Sequence, residues 1–179
     1  MEINTITQEE LETLLRYTEC SQHIIICTHK SPDGDALGAS LAWLEFLSNR
    51  GKTADIIIPD AYPDFLQWLP NSEKIIRYDK HKERAETLMC GADLIFCLDF
   101  NAFRRVDEME QTLRDSPAKK IMIDHHMDPV MDTVLTVSRP EMSSTCELVF
   151  RIMHQSGDFG KMTPKCAACI YCGMMTDTG

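Results

Sequence analysis

Continuous apolar runs alternate along the chain with segments in which apolar residues recur every three or four positions. The runs are rich in β-branched residues and lack polar alternation, which is typical of strands buried on both faces of a sheet. The predicted strands cover residues 23–28, 53–58, 74–78, 93–99, 119–124 and 134–137, the last as an edge strand. Alternating strands and helices favour an α/β fold with a mostly parallel sheet and helices on both faces.

Helical periodicity fills the intervals between these strands. Thr7 and Glu10 have the spacing of a capping box, and Ser144 and Glu147 repeat it, so each pair predicts the start of a helix. Pro164 suits the first position of a last helix. The predicted helices cover about residues 7–18, 36–50, 80–90 and 105–114, followed by one that opens at Ser144 and one that opens at Thr163.

Length, charge and cysteine usage narrow the class of protein. With 179 residues, 44% of them hydrophobic, the chain is long enough for one domain with a sizeable core. The formal net charge of −10 argues against a basic surface for long duplex nucleic acid. No apolar run approaches the roughly 18 residues of a membrane span, and no secretory signal is visible. Eight cysteines then favour reduced thiols, and we expect a cytoplasmic protein that binds no membrane.

Polar side chains of the metal-ligand type follow the ends of three predicted strands. His29, Asp33 and Asp35 follow the first, Asp99 follows the fourth, and residues 124–126 (Asp-His-His) follow the fifth. Parallel strands bring such ends to one edge of the sheet, where carboxylates would repel one another unless cations held them. Oxygen and imidazole ligands favour Mn²⁺, Mg²⁺ or Fe²⁺ over structural zinc, and two ions about 4 Å apart would need a bridging carboxylate.

Each of these motifs has a plainer explanation when it is taken alone. The first could be an Asp-Gly turn with a surface histidine, Asp99 could cap a helix, and residues 124–126 could form a hydrogen-bonded loop. Their coincidence at strand ends favours the metal site.

Taken together, the motifs resemble the DHH phosphoesterase superfamily, which is named for the Asp-His-His sequence found here at residues 124–126. Residues 29–38 (His-x-x-x-Asp-Gly-Asp-Ala-Leu-Gly) are similar to its first motif, Asp99 to its second, and residues 175–179 (Met-Thr-Asp-Thr-Gly) to its fourth. The small-hydroxyl segment at residues 143–145 is similar to one that often follows the third motif. The resemblance covers nearly the whole chain and implies one Rossmann-like DHH catalytic domain over residues 1–179.

The resemblance also implies two metal sites, usually for Mn²⁺, with Mg²⁺ or another divalent metal as the alternative. The implied ligand sets are His29, Asp33 and Asp99 for one ion, and Asp35, Asp99, His125 and Asp177 for the other. Asp99 would therefore bridge the two ions. His126 would face the substrate phosphate as a charge stabiliser or acid, and Asp124 would orient the pair.

Among members of the family, the chain most resembles bacterial nanoRNase and 3′,5′-bisphosphonucleotide (pAp) phosphatase enzymes. This implies a hydrolase that cleaves phosphate esters of small nucleotides or very short oligonucleotides by a two-metal mechanism with metal-activated water. The alternatives are an inorganic pyrophosphatase or exopolyphosphatase, and a nucleotide-binding module without turnover. Those enzymes carry a C-terminal substrate-binding domain, so we interpret the chain as truncated before it, and its own activity and homodimerisation stay open.

Three features outside these motifs have competing interpretations. Cys166, Cys169 and Cys172 could be an iron–sulfur run, but three-residue spacing on a helix favours packing. Arg105 could contact a phosphate or form a structural ion pair. Trp68 could stack on a base, although packing in a core or an interface is favoured.

Overall fold

One parallel sheet of six strands forms the centre of the part of the chain that the computed structural model describes, residues 5–178. The strands are β1 (Ile24–Cys27), β2 (Ala54–Ile58), β3 (Ile76–Arg77), β4 (Leu94–Leu98), β5 (Lys119–Asp124) and β6 (Leu135–Ser138). Their order is β3-β2-β1-β4-β5-β6, with every pair parallel. The predicted α/β class is confirmed, including the edge position of β6. The order reverses between β1 and β4, which is where parallel sheets of this kind bind ligands.

Helices cover both faces of this sheet. They are α1 (Gln8–Cys20), α2 (Gly34–Asn49), α3 (Lys82–Cys90), α4 (Glu110–Asp115), α5 (Thr145–Gln155) and α6 (Pro164–Thr178). The core on one face joins the sheet to α1, α2, α5 and α6, and the core on the other joins it to α3 and α4. Ile24 and Ile26 enter the first core, whereas Ile25 and Cys27 enter the second. Burial on both faces is the reason that the strand is apolar at every position.

The segment predicted as a helix over residues 105–114 is wrong in its first half. Phe103–Met109 is 3₁₀-helical and is interrupted at Asp107 (φ 47°, ψ −119°), and only Glu110–Asp115 is α-helical. The carbonyl of Arg105 accepts a hydrogen bond from the Lys30 N–H, and the Asp107 carboxylate forms an ion pair with the Lys30 ammonium. This backbone is therefore shaped by the loop after β1, a tertiary contact that local periodicity does not encode.

Of the two predicted capping boxes, one forms completely and the other only in part. The box at Thr7 and Glu10 forms with both hydrogen bonds present, as predicted. At the start of α5, Ser144 accepts from the Glu147 N–H, but the Glu147 carboxylate accepts from Ser143 instead of from Ser144. The helix start was therefore predicted correctly, while its reciprocal bond is displaced by one residue.

The cysteines of α6 and the tryptophan also differ in their outcomes. Cys166, Cys169 and Cys172 are buried in the core against α2, as the packing interpretation predicted. Trp68 is 61% exposed, so it does not pack in the core, where Leu66 and Leu69 lie instead, and packing in an interface stays a prediction. Within the described residues, no helix combines the length and the apolar character that crossing a membrane requires.

Glycines allow α2 and α6 to approach closely beneath the carboxyl edge of the sheet. A Cβ atom added to Gly38 would lie 2.5 Å from the carbonyl oxygen of Cys169, and one added to Gly34 would collide with Thr176. A Cβ atom on Gly173 would lie 2.9 Å from the Asp35 carboxylate and would overlap the Cys146 sulfur. Because α6 carries Asp177, this contact determines where that side chain lies.

We expect Gly173→Ala to destabilise the protein even though alanine is the better helix former. Overpacking of a dense core costs about 1–3 kcal/mol, which exceeds the roughly 1 kcal/mol of helix propensity gained. Urea denaturation measures the difference in the free energy of unfolding. Gly160→Ala is the matched control, because nothing lies within 4 Å of the added Cβ atom there. An unchanged unfolding free energy for Gly173→Ala would contradict the close packing of α6.

Candidate metal centre and active site

Loops at the carboxyl ends of three neighbouring strands bring the predicted site residues together. His29 lies two residues beyond β1, Asp99 directly follows β4, and His125 directly follows β5, which ends at Asp124. The strands are adjacent in the order β1-β4-β5, so these three loops converge at the switch point of the sheet. Asp177 joins them from the last turn of α6.

The ring of His29 is held so that one nitrogen faces two carboxylates. Its Nδ1 atom lies 2.8 Å from the carbonyl oxygen of Lys30, and a carbonyl only accepts, so the Nδ1–H is the donor. The Nε2 atom then lies 3.4 Å from Asp99 Oδ2 and 3.9 Å from Asp33 Oδ2. In the neutral ring, the nitrogen that faces the carboxylates is therefore unprotonated, whereas in the protonated ring it donates to Asp99.

The ring of His125 repeats this arrangement on the other side of Asp99. Its Nδ1 atom is 3.3 Å from the carbonyl oxygen of Met142. Its Nε2 atom lies 3.3 Å from Asp177 Oδ2, 3.6 Å from Asp99 Oδ1 and 3.8 Å from Asp35 Oδ2. One oxygen of Asp99 thus faces His29 and the other faces His125.

Both clusters suit divalent cations. Lone pairs on nitrogen and oxygen that face one another need a proton or a cation between them, because two acceptors repel. Ligand bonds of about 2.1 Å place neighbouring donor atoms about 3–4 Å apart, which matches these spacings. The groups whose donor atoms lie within 4.8 Å of one another are His29, Asp33 and Asp99; Asp35, His125 and Asp177; and Asp99, His125 and His126. The first of these groups has the same members as the first implied set, and the second matches the other implied set without Asp99, whose Oδ1 atom lies 3.6 Å from His125 Nε2. The third group adds His126.

Burial and mutual repulsion perturb the acids of the centre. Burial raises the pKa of Asp99 to about 7. The hydrogen bond from His29 opposes this increase, and the charge of Asp35 reinforces it. Burial also raises the pKa of Asp177, with further contributions from Asp35 and Asp33. Burial acts to lower the pKa of His29, but the hydrogen bonds to Asp99 and to the Lys30 carbonyl, together with the charges of Asp99 and Asp33, raise the net pKa. Without cations, the centre therefore tends to retain protons.

His126 differs from the other two histidines because a carboxylate holds its Nδ1 atom. That atom lies 2.8 Å from Asp124 Oδ1, and this hydrogen bond raises the pKa of His126 against the opposing effect of burial. The side chain of His126 is 39% exposed, whereas Asp124 is fully buried. Asp124 therefore fixes the orientation of a solvent-facing imidazole that favours its protonated form.

Asp33 and Asp35 lie at the start of α2, which begins two residues earlier than predicted. Asp33 is the N-cap residue, and its Oδ1 atom accepts from the N–H groups of Asp35 and Ala36 at 3.0 Å each. Its second oxygen faces His29. Asp35 is buried in the first helical turn, and its two oxygens accept from the N–H groups of Thr145 and Cys146. The sequence grouped both acids in a loop, but one of them belongs to a helix.

Sequence reasoning missed Asp60 as a residue that supports the site. Ser31 has a left-handed backbone (φ 53°), and its N–H donates to Asp60 Oδ1 at 2.6 Å. Asp60 thereby anchors the turn between His29 and Asp33. The signal was available, since Asp60 lies two residues beyond β2, just as His29 lies two residues beyond β1.

The fold and this geometry define a class of protein: a parallel α/β domain with an acid- and imidazole-rich metal centre at the switch point of its sheet. The chain belongs to the DHH family, because the model of the DHH family N-terminal domain matches residues 23–174.

Similar proteins agree with this assignment. The bifunctional oligoribonuclease and PAP phosphatase NrnA of Thermus thermophilus is 32% identical over 158 residues, which cover 87% of this chain and 43% of that protein. A crystal structure of an exopolyphosphatase-related protein from Bacteroides fragilis is 47% identical with a TM-score of 0.95, covering 97% of this chain and 51% of the other. RecJ of Thermus thermophilus, solved in complex with Mn²⁺, shares the fold at 14% identity and a TM-score of 0.55, covering 98% of this chain and 25% of RecJ. The chain spans about half the length of the NrnA proteins it matches, 43% and 49%.

Proposed function

We propose that this chain is the catalytic domain of a phosphoesterase that cleaves small nucleotides such as pAp, or very short oligoribonucleotides, with two divalent cations, Mn²⁺ first among them. The observation that carries the proposal is the pair of donor sets that share Asp99, one on each of its two oxygens. The names of the similar NrnA proteins support this substrate class. The acidic chain, with a net charge of −10, favours a small substrate over long duplex nucleic acid.

The residues of the centre divide into holding and reacting roles. His29, Asp33, Asp35, Asp99, His125 and Asp177 would hold the cations. Divalent cations supply Lewis-acid polarisation of the phosphate and a nucleophile from water near neutral pH. His126, oriented by Asp124 through Nδ1, would present its Nε2–H to the phosphate or to the leaving oxygen. The hydrogen bond to Asp124 raises the pKa of His126 and so favours the form that carries this proton.

Arg105 would add a positively charged side chain to the part of the site that binds the phosphate. It is exposed, and its charge acts on His126, where it partly offsets the pKa increase caused mainly by Asp124. Its backbone carbonyl is fixed by the N–H of Lys30, beside His29. A guanidinium whose charge reaches His126 suits bidentate binding of a phosphate there.

We expect Arg105→Ala to lower kcat/KM for pAp about tenfold or more, because one charge-assisted hydrogen bond to the transition state is lost. Steady-state kinetics with saturating Mn²⁺ provide the measurement. Arg104→Ala makes the same change of charge one residue away and should stay within about threefold of the parent protein. Equal losses in the two variants would argue against a specific phosphate contact.

A second candidate, hydrolysis of pyrophosphate or polyphosphate, is favoured by the similarity to the exopolyphosphatase-related protein. The deciding experiment compares pAp, a diribonucleotide, pyrophosphate and polyphosphate side by side with Mn²⁺, in the chain alone and in any longer natural form. Release of phosphate or mononucleotide from the nucleotide substrates supports the first proposal. Preference for inorganic substrates replaces it with the second, and tight nucleotide binding without turnover replaces both with a binding module.

A further inference from the structure

The N-terminus of α5 contacts both buried acids of the candidate metal centre. The N–H groups of Thr145 and Cys146 donate to the two oxygens of Asp35 at 2.6 and 2.8 Å. The Thr145 hydroxyl donates to Asp99 Oδ1 at 2.8 Å. Thr145 and Asp35 are fully buried, and Asp99 is 2% exposed, so water does not compete for these bonds. Three donors at the N-terminus of one helix therefore bind two carboxylates, an arrangement that the positive end of the helix dipole stabilises.

The backbone bond of Thr145 determines where its hydroxyl can lie. Because its N–H is anchored to Asp35, the Cβ atom and the hydroxyl occupy a defined place at the first turn of α5. Asp99 has a left-handed backbone (φ 65°), and its N–H donates to the carbonyl of Ile123, so its Cα atom is also fixed. The remaining freedom of Asp99 is rotation of its side chain, and the Thr145 hydroxyl restricts that rotation.

We propose that Thr145 is a positioning residue that sets the orientation of the Asp99 carboxylate, so that one oxygen serves each cation. The inference rests on the proposed function, because it assumes that Asp99 bridges two ions. With the hydroxyl bonded to Oδ1, that oxygen stays 3.6 Å from His125 Nε2 while Oδ2 stays 3.4 Å from His29 Nε2. Loss of the hydroxyl frees the carboxylate to rotate and disrupts both donor sets together.

Thr145→Val tests this inference by removing the hydroxyl at nearly constant volume, and Thr145→Ser keeps the hydroxyl. Supporting hydrogen bonds to metal ligands typically contribute 10–100-fold to affinity, so we expect Thr145→Val to weaken Mn²⁺ binding about tenfold or more. Thr145→Ser should stay within about threefold. Isothermal titration calorimetry with Mn²⁺ measures the affinity and the number of ions. Electron paramagnetic resonance reports whether two bound Mn²⁺ ions are magnetically coupled, and the coupled signal should be lost in Thr145→Val.

Thr18→Val is the matched control for stability. The Thr18 hydroxyl is equally buried and donates to the carbonyl of Leu14, within α1. Its loss should lower the melting temperature without changing Mn²⁺ affinity. If Thr145→Val does not fold, Thr145→Ala serves in its place with the same expected loss of affinity.

The possible outcomes separate this inference from the proposed function. If the parent chain binds neither Mn²⁺ nor Mg²⁺, the proposed function fails. If the parent chain binds two coupled ions and Thr145→Val or Thr145→Ala binds them equally well, only the role of Thr145 is overturned. A loss in Thr145→Ser as large as that in Thr145→Val would also overturn it, because the hydroxyl would then not be the cause.

Discussion

Asp99→Asn is expected to abolish phosphoesterase activity and the binding of both Mn²⁺ ions, while leaving the EDTA-treated protein more stable than its parent. The amide keeps the shape of the carboxylate but loses the charge that would be shared between the two cations. Losing several kcal/mol of charge stabilisation corresponds to about a thousandfold or more in kcat/KM. Mn²⁺ calorimetry and kinetics with pAp measure the two losses.

The gain in stability has the same physical origin as the loss of function. Asp99 is buried beside other acids, and its pKa of about 7 lies well above 3.8, so ionising it near neutral pH opposes folding when no cation is bound. Removing that charge should raise the free energy of unfolding at about pH 8 by on the order of 2 kcal/mol. Asp132→Asn, at an exposed site in the loop after β5, controls for the change of charge. Retention of two tightly bound ions by Asp99→Asn would disprove the bridging role.

The stability of the EDTA-treated protein is expected to fall as the pH rises from about 5 to about 8, which reverses the usual behaviour of an acidic protein. A group whose pKa is raised on folding contributes stability that is present below its unfolded pKa and is lost as the pH rises through its folded pKa. Asp99 has such a shift, from 3.8 to about 7, caused mainly by burial. Burial raises the pKa of Asp177 as well, and the contact with Asp124 raises that of His126. Asp99, Asp177 and His126 therefore all lower the free energy of unfolding as the pH rises.

Carboxyl groups whose pKa is lowered on folding have the opposite effect on stability, but at lower pH. Despite partial burial, Arg139 holds the pKa of Glu10 below its ordinary value of 4.5, and hydrogen bonds from Ser143 do the same for Glu147. Their contribution is lost only as the pH falls below about 4.5, so measurements above about pH 5 isolate the metal centre. Urea denaturation in EDTA at about pH 5, 6, 7 and 8 provides the test.

A shift of about three pKa units corresponds to about 4 kcal/mol in full, and about 2–3 kcal/mol of this falls between pH 5 and pH 8, because Asp99 in the unfolded chain already titrates near 3.8. In Asp99→Asn, the free energy of unfolding should decrease less as the pH rises. In the parent protein, added Mn²⁺ should restore stability at about pH 8, because cations replace the protons. A free energy of unfolding that does not change with pH in EDTA, or that rises, would contradict this account of the centre.

Much of the fold was predictable because its signals are local. The buried strands are apolar at consecutive positions because helices cover both faces of the sheet, and α1 and α5 begin at capping residues. The gathering of the site was also predictable, since acids and histidines that follow parallel strands must meet at one edge. The positions of His29, Asp99 and residues 124–126 after apolar strands were therefore enough to predict that they form one cluster.

Only the tertiary structure decided how these side chains are held, because contacts between residues distant in sequence leave no local pattern. Thr145 contacts Asp99 across 46 positions in the sequence. The Lys30 N–H donates to the carbonyl of Arg105, which lies in a 3₁₀ segment where periodicity predicted an α-helix. The tautomers of His29 and His125 likewise depend on backbone carbonyls beside each ring. The sequence by itself determined the class of fold and which acids and histidines follow the strands at one edge of the sheet, whereas Asp177 was indicated only by the family resemblance. The orientation of each donor depends on packing, because side-chain rotation is set by what surrounds it.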